Sequence, residues 1–223
     1  MKVCYEFIGV WGAGKTTLIQ IFKKELAAVK SVGEFNDFAC FSAADILTLD
    51  RRFSAYAIMK LAALCVKLYF INYRLGTYNC FKVILRSAIL RGSSSNSVLL
   101  WEGEYHLISL LKWNITITDR DLLIPYLMHS KRYQIVPVFV EVSPEVSFSR
   151  VKKDFTNGSN KRFLDVNKSE IKGRINSTIK NQDRLKKVFD KNGIFYLTVK
   201  NDKENKFPTI TSHLVNDFVK RTQ

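Results

Sequence analysis

A phosphate-binding loop near the start of the chain constrains its fold more than any other feature. Residues 9–16 read Gly-Val-Trp-Gly-Ala-Gly-Lys-Thr and satisfy the pattern G-x-x-x-x-G-K-T. An apolar, strand-like run from Val3 to Ile8 precedes the loop, and apolar residues follow it at helical spacing from Thr17 to Val29. A strand, a glycine-rich turn and a helix start are the context in which such a loop binds phosphate. The pattern therefore predicts a site for a nucleoside triphosphate or another phosphate.

The residue types of the loop suit this chemistry. Glycine lets backbone amides turn toward a phosphate without a Cβ in the way, and the helix N-terminus adds a positive dipole end. The Lys15 ammonium can reach the β- and γ-phosphates, and the Thr16 hydroxyl can bind Mg²⁺. The predicted nucleotide-binding residues of the loop are Gly9, Gly12, Ala13, Gly14, Lys15, Thr16 and Thr17.

The spacing of apolar residues predicts alternating strands and helices. Strands are predicted at 3–9, 97–102, 135–142 and 194–199, with a further strand left open between Ser31 and Phe41. Helices are predicted at 15–30, 43–71, 78–91, 118–131, 144–153, 167–191 and 208–221. This alternation indicates a three-layer α/β P-loop NTPase fold, with a parallel sheet of about five strands and helices on both faces. A length of 223 residues fits one domain, 1–223.

Several helix ends carry local signals. Ser143 and Pro144 read as an N-cap and a first-turn proline after the third predicted strand. Asn167 with Glu170 resembles a capping box that opens the next helix, and Gly193 can end that helix. The segment between these helices is polar and surrounded by basic residues, so we expect a flexible loop there.

Composition narrows the class of protein. The apolar stretch 55–71 is interrupted by Lys60 and Lys67, which favours a buried helix over a membrane span. The chain start runs directly into the first predicted strand, so we expect no signal peptide and a cytoplasmic location. The four cysteines form no C-x-x-C pair, which favours reduced core thiols over a disulfide framework or a metal site: Cys4, Cys40, Cys65 and Cys80.

The charge of the chain is strongly basic and unevenly distributed. The net charge is +15, and from Arg150 onward 18 basic and 8 acidic residues give a net of +10. Two interpretations stay open: a nucleic-acid-binding surface, or a basic kinase lid together with a solvated helix face.

A carboxylate follows the second long predicted strand. The apolar run from Ser97 to Trp101 ends in Glu102, and P-loop enzymes place a carboxylate at the end of a strand beside the loop. There it can hold a Mg²⁺-bound water or accept a proton from an attacking hydroxyl. Glu102 is the predicted catalytic and metal-binding carboxylate. Glu104 is the alternative to it, and His106 fits a structural role better.

Three segments, in this order, resemble one known family. Residues 9–17 match the loop G-x-x-G-x-G-K-[ST]-[TS], and residues 138–145 are similar to a strand that runs into D-V-S-P-E. Residues 150–163 are similar to a basic lid that reads R-x-x-R and then R-[FI]-E; Lys153 stands at the second arginine, and Leu164 replaces the usual acid. The chain thus resembles the nucleoside-monophosphate kinase group and, within it, the thymidylate kinase-like branch.

The resemblance implies an enzyme that uses ATP and Mg²⁺ to transfer the γ-phosphate of ATP to a small acceptor. It implies a small basic lid at 150–165, metal binding by Thr16 and Glu102, and adenine beside Asn201. The catalytic residues that it implies are Lys15, Glu102, Arg150, Lys153 and Arg162. The candidate acceptor-binding cations are Arg51, Arg52 and Arg74.

Two tryptophans depart from the family pattern. Thymidylate kinases carry acids at the positions of Trp11 and Trp101, and an indole cannot accept the hydrogen bond of a sugar hydroxyl. We therefore expect a nucleotide or nucleoside acceptor other than dTMP. The alternative function is a polynucleotide 5′-end kinase or a non-catalytic, ATP-dependent nucleic-acid-binding protein. No membrane association is expected, and a homodimer is left open. A GTPase is disfavoured because residues 167–170 do not form N-K-x-D.

Overall fold

The structure is a computed structural model of the 223-residue chain. It describes residues 2–29, 36–37, 97–100, 119, 123, 133–156, 168–202 and 207–222. The predicted helices at 43–71 and 78–91 lie outside these residues. Within 118–131, Asp119 and Leu123 are described, and both are helical.

Five parallel strands form one sheet. The strands are β1 (Lys2–Gly9), β2 (Asn36–Asp37), β3 (Ser97–Leu100), β4 (Tyr133–Glu141) and β5 (Leu197–Lys200). Their order across the sheet is β2-β3-β1-β4-β5. The first strand is central, with Val3 opposite Ser97 on one side and opposite Gln134 on the other. Because all strands run the same way, the loop after β1 lies at the same edge of the sheet as the described residues that follow β4 and β5.

Helices pack on one face of the sheet around an aromatic core. They are α1 (Lys15–Ala28) and α4 (Phe207–Thr222), which pack against the side chains that Val3, Tyr5 and Phe7 present from β1. The rings of Phe22 in α1 and Phe218 in α4 lie edge to face at 5.8 Å. Burial of such rings supplies much of the stabilisation of a domain this size.

The opposite face of the sheet is covered by α3 (Lys168–Lys191). Alternation along β1 turns Cys4 and Ile8 to this side, where they join a core with Leu185 and Phe189 of α3. Leu123 also packs here, and Asp119 accepts a hydrogen bond at 3.0 Å from Arg184 of α3. Helices therefore lie on both faces, which confirms the layered arrangement predicted from the sequence.

A third apolar cluster joins α3 to α2 (Pro144–Thr156) and consists of Val151 in α2 and Ile171 and Ile175 in α3. Ser143 caps α2, since the Val146 amide donates to Ser143 Oγ at 3.4 Å and the Ser147 amide donates to the Ser143 carbonyl at 2.9 Å. The amide of Ile194 donates to the Phe189 carbonyl at 2.9 Å past Gly193, so α3 ends where predicted.

Most predicted boundaries of the described elements agree with the structure to within two residues, and two differ by three residues. The short strand left open between 31 and 41 is β2. The last strand was predicted at 194–199, but residues 194–196 form the connection from α3 and β5 begins at Leu197. Ile194 does not belong to the strand; its apolar side chain packs in the core between the sheet and α3. The helix predicted at 144–153 extends to Thr156. In the described part of the chain, no helix is long and apolar enough to cross a membrane.

Candidate active site

The loop after β1 adopts a conformation that depends on glycine. Gly12 and Gly14 have φ angles of 69° and 78°, in the left-handed region that side chains disfavour. Gly14 is the N-cap of α1 and has no side chain, so no side-chain cap bonds the first-turn amides in this described segment. The amides of this turn and the dipole of α1 together suit a negatively charged phosphate.

The side chain of Lys15 lies over the loop. Its Nζ donates hydrogen bonds to the carbonyl oxygens of Gly9 at 2.7 Å and Val10 at 3.1 Å. The ammonium charge is thereby placed beside the glycine turn. Thr16 and Thr17 follow in the first turn of α1, and both are exposed, so the Thr16 hydroxyl is accessible to a metal or a phosphate.

Helix α2 presses against the outer side of the loop. Ser147 Oγ donates to the Trp11 carbonyl at 2.6 Å, and Arg150 Nη1 donates to the Gly12 carbonyl at 3.3 Å. A Cβ on Gly12 would meet the Ser147 carbonyl oxygen at 2.6 Å, closer than real Cβ contacts. The α2 backbone can approach the loop this closely because position 12 has no side chain.

Asn201, directly after β5, is fully buried and forms hydrogen bonds with three segments of the chain. Its Nδ2 donates to the Ala13 carbonyl at 2.6 Å, and its backbone amide donates to the Glu141 carbonyl at 2.8 Å. Its own carbonyl accepts a hydrogen bond from Arg150 Nη1 at 3.1 Å. Asn201 therefore joins the loop, β4 and α2. The Oδ1 atom of Asn201 is buried and has no hydrogen-bond partner among the residues that the structure describes.

Trp11 points away from the loop into the cluster between α2 and α3. Its indole packs against the cluster that Val151, Ile171 and Ile175 form, and the guanidinium carbon of Arg174 lies 5.7 Å from the centre of a Trp11 ring. Arg174 also forms an ion pair with Glu170 at 2.5 Å. The resemblance to thymidylate kinases places position 11 beside the acceptor. In this structure, Trp11 instead connects the loop to α2 and α3.

The structure brings together part of the predicted site. Lys15, Arg150 and Asn201 meet around the loop, while Lys153 is exposed on α2. The remaining candidates lie outside the described residues: Arg51, Arg52, Arg74, Trp101, Glu102, Glu104, His106 and Arg162. Among the residues that are described, no three His, Cys, Asp or Glu side chains come together as a metal-binding group.

Sequence reasoning missed two residues that contact the loop. Ser147 gave no signal, because a serine in the first turn of a helix is ordinary until the partner of its hydroxyl is known. Arg174 gave a weak one, since Glu170 and Arg174 are four residues apart on a helix and are therefore neighbours. The stacking of Arg174 on Trp11 depends on how α3 meets the loop and could not be predicted.

Several solved structures with a fold similar to that of this chain are kinases. A deoxyadenosine kinase from M. mycoides with bound dATP has a TM-score of 0.52 at 13% sequence identity and covers 97% of this chain and 99% of its own. A shikimate kinase from Bacteroides thetaiotaomicron has a TM-score of 0.50 at 15% identity and covers 97% and 98%. This chain has the fold of these P-loop kinases.

A shikimate kinase from Acinetobacter baumannii in complex with shikimate has a TM-score of 0.50 at 14% identity and covers 99% of this chain and 95% of its own. No protein-family model matches the sequence, and no curated protein matches it significantly. At these identities the likenesses show the fold alone, and the thymidylate kinase-like branch stays a prediction.

Proposed function

We propose that the protein is an ATP- and Mg²⁺-dependent phosphotransferase that transfers the γ-phosphate of ATP to a small acceptor, a nucleotide or nucleoside other than dTMP. The observation that carries the proposal is the geometry of the loop, in which two glycines at positive φ lead into an α1 start without a side-chain cap, with the Lys15 ammonium beside them. The kinase fold of the chain supports it.

In this proposal the loop binds the phosphates of ATP. The amides of residues 12–15 donate to the phosphate oxygens, and Lys15 exchanges the carbonyls of Gly9 and Val10 for the β- and γ-phosphates. Thr16, with Glu102, would hold a Mg²⁺ ion, which would neutralise charge on the phosphates. Asn201 keeps the loop in register with the end of β5, beside the expected position of adenine.

The remaining chemistry is positioning and charge neutralisation. Glu102 orients the acceptor oxygen or accepts its proton, and the basic lid at 150–165 brings Lys153 and Arg162 over the transferring group. Arg150 acts at the base of the lid, where its Nη1 already contacts two segments of the site. Phosphoryl transfer requires little covalent assistance from the protein beyond this.

The loop lysine and the predicted carboxylate are tested by two substitutions. Lys15→Ala should abolish phosphate transfer with unchanged far-UV circular dichroism, because the cation is lost while the backbone of the loop is kept. Glu102→Gln should lower kcat by about 10² to 10⁴, as is typical for loss of a general base, with ATP affinity retained. The measurement is ADP release together with nucleotide binding. Turnover near the wild-type rate in Glu102→Gln would exclude Glu102 as the catalytic carboxylate.

The acceptor is identified by an ADP-release screen over nucleosides, nucleotides, sugars and 5′-hydroxyl oligonucleotides. We expect turnover with a nucleoside or nucleotide and none with dTMP. Positions 11 and 101, which are acidic in thymidylate kinases, are both tryptophan here and supply no carboxylate to the acceptor. Efficient turnover of dTMP would contradict this assignment.

A nucleic-acid substrate or partner is the second candidate, and exposed lysines favour it. Several lie along the solvent side of α2 and α3: Lys152, Lys153, Lys168, Lys172, Lys180, Lys187 and Lys191. Such a row of cations can follow a phosphate backbone.

A further inference from the structure

Trp11 links two parts of the molecule that are far apart in the sequence. Its carbonyl accepts the hydrogen bond of Ser147 in α2, and its indole packs against the buried cluster to which Ile171 and Ile175 of α3 belong. The same residue directly precedes Gly12, whose positive φ shapes the phosphate loop. One residue therefore belongs both to the loop and to the α2–α3 contact.

The contact on the α3 side is extensive for a loop residue. The Arg174 guanidinium lies over the indole at 5.7 Å and forms an ion pair with Glu170 at 2.5 Å. Ile171 and Ile175, in the cluster against which Trp11 packs, are only 3% and 2% exposed. Cation–π contact and apolar burial both depend on the position of the indole. Moving the indole would therefore disturb the first turns of α3.

The geometry of the loop fixes the indole in turn. A rotation of the backbone at residues 11 and 12 that turned the loop amides away from a phosphate would break the bond from Ser147 Oγ to the Trp11 carbonyl. The same rotation would lift the indole from the apolar cluster. The conformation of the loop that can bind an anion and the packing of α3 thus stabilise each other.

We propose that Trp11 is a positioning residue that couples nucleotide binding in the loop to the packing of the N-terminal half of α3. This inference rests on the proposed function only in requiring that the loop binds nucleotide phosphates. A ligand that favours the loop conformation must then also stabilise α3, because coupling between two sites is reciprocal.

Amide hydrogen exchange tests the coupling. Addition of Mg²⁺ and a non-hydrolysable ATP analogue should slow exchange at residues 172–179 of the unmodified chain by about tenfold, a size typical of coupling between two sites. In Trp11→Ala the analogue should bind about tenfold more weakly, and saturating analogue should leave exchange at 172–179 unchanged. The readout is the change caused by the ligand, which a purely structural loss would not remove.

Phe195→Ala is the matched control. Phe195 is also an aromatic residue beneath an arginine, with Arg221 at 4.0 Å, but it precedes β5 at the edge of the sheet opposite the loop. This variant should keep both the affinity and the tenfold slowing. Ser147→Ala leaves the indole in place and is a second test that does not depend on the folding of Trp11→Ala. In this variant, the slowing of exchange at 172–179 by the analogue should be at least threefold smaller than in the unmodified chain.

The outcomes separate the two proposals. Absence of nucleotide binding in the unmodified chain would overturn the proposed function and the coupling with it. Binding without slowing at 172–179 would overturn the coupling alone. Equal slowing in the unmodified chain, Trp11→Ala and Ser147→Ala would likewise overturn it.

Discussion

Gly12 is a residue of the site that leaves no room for a side chain. Its φ of 69° is unfavourable for any residue with a Cβ, and a Cβ there would collide with the main-chain oxygen of Ser147 in α2. A main-chain atom within a hydrogen-bonded helix cannot move aside as a flexible side chain can. The loop and α2 can therefore lie this close together only because position 12 has no side chain.

We expect Gly12→Ala to lower the free energy of unfolding by about 2 kcal/mol or more, because the strain of a positive φ adds to the collision. Gly173→Ala is the control within the same chain, since Gly173 is exposed in α3 and a Cβ there meets nothing within 4 Å. That change should raise the free energy of unfolding by about 0.5–1 kcal/mol through helix propensity. Urea denaturation of both variants measures the two effects; equal values would show that the loop can relax around the new side chain.

At the scale of elements, a buried polar contact fastens α4 to the central strand. The hydroxyl of Tyr5, which is fully buried in β1, donates to Asp217 Oδ2 at 2.5 Å, and Arg221 Nε donates to the same oxygen at 2.7 Å. Burial, and then the hydrogen bond to Asp217, raise the pKa of Tyr5 far above that of an exposed tyrosine. The neutral hydroxyl is therefore the form that the folded state requires.

This shift has a definite consequence for stability at high pH. A raised pKa in the folded state gives stability that is complete below the unfolded pKa, about 10 for tyrosine, and is lost as the pH rises above it. Each pH unit above about 10 should cost about 1.4 kcal/mol from this group.

Tyr5→Phe should be less stable than the unmodified chain at pH 8 and should lose less stability between pH 9.5 and 11. Tyr196→Phe is the comparison: the pKa of Tyr196 is also raised, mainly by desolvation and then by its bond to Asp190, but its side chain is partly exposed. Removal of the Tyr196 hydroxyl should therefore reduce the loss of stability at high pH by less than removal of the Tyr5 hydroxyl does. The measurement is urea unfolding across this pH range. Parallel curves for Tyr5→Phe and the unmodified chain would contradict the prediction.

At the scale of the whole molecule, charge and fold give different indications of the partner. The proposed function requires a small acceptor, whereas a net charge of +15 favours a polyanion. Contacts to several phosphates release counterions, so binding to a nucleic acid must weaken steeply with salt.

We expect no gel shift of a single-stranded or duplex oligonucleotide at 50 mM salt, because the proposed acceptor is a small molecule. A shift at 50 mM that disappears near 200 mM would instead support the nucleic-acid alternative. Replacing Lys172 and Lys180, two exposed cations of α3, by glutamine would then reduce the salt dependence. ADP release in the same samples, with and without the oligonucleotide, distinguishes a substrate from a bound partner.

Much of the fold could be predicted because its signals are local. The glycine loop, the proline after Ser143 and the glycine at 193 act through steric preferences of one or two residues, and each marks an element end in the structure. The apolar runs of β1 and β4 predicted buried parallel strands, and both are almost fully buried. The exception was Ile194, since apolar character alone cannot distinguish a strand from a connection that packs on the core.

The candidate site could be predicted only in part. Lys15 was identified by its place in the loop, and Asn201 was placed near the nucleotide by resemblance, but its buried bond to the Ala13 carbonyl had no sequence signal. Trp11 was interpreted as an acceptor-facing departure from the family pattern. Its packing against α2 and α3 depends on contacts with residues more than a hundred positions away.

The sequence by itself determined the phosphate loop, the alternation of strands and helices, and the two-faced burial of the sheet, because these follow from backbone sterics and from the period of apolar side chains. Only the tertiary structure decided the order β2-β3-β1-β4-β5 and the seat of the loop on α2 and α3. Those features arise from long-range packing, in which a residue such as Gly12 or Trp11 acquires its role from the atoms that the fold brings against it.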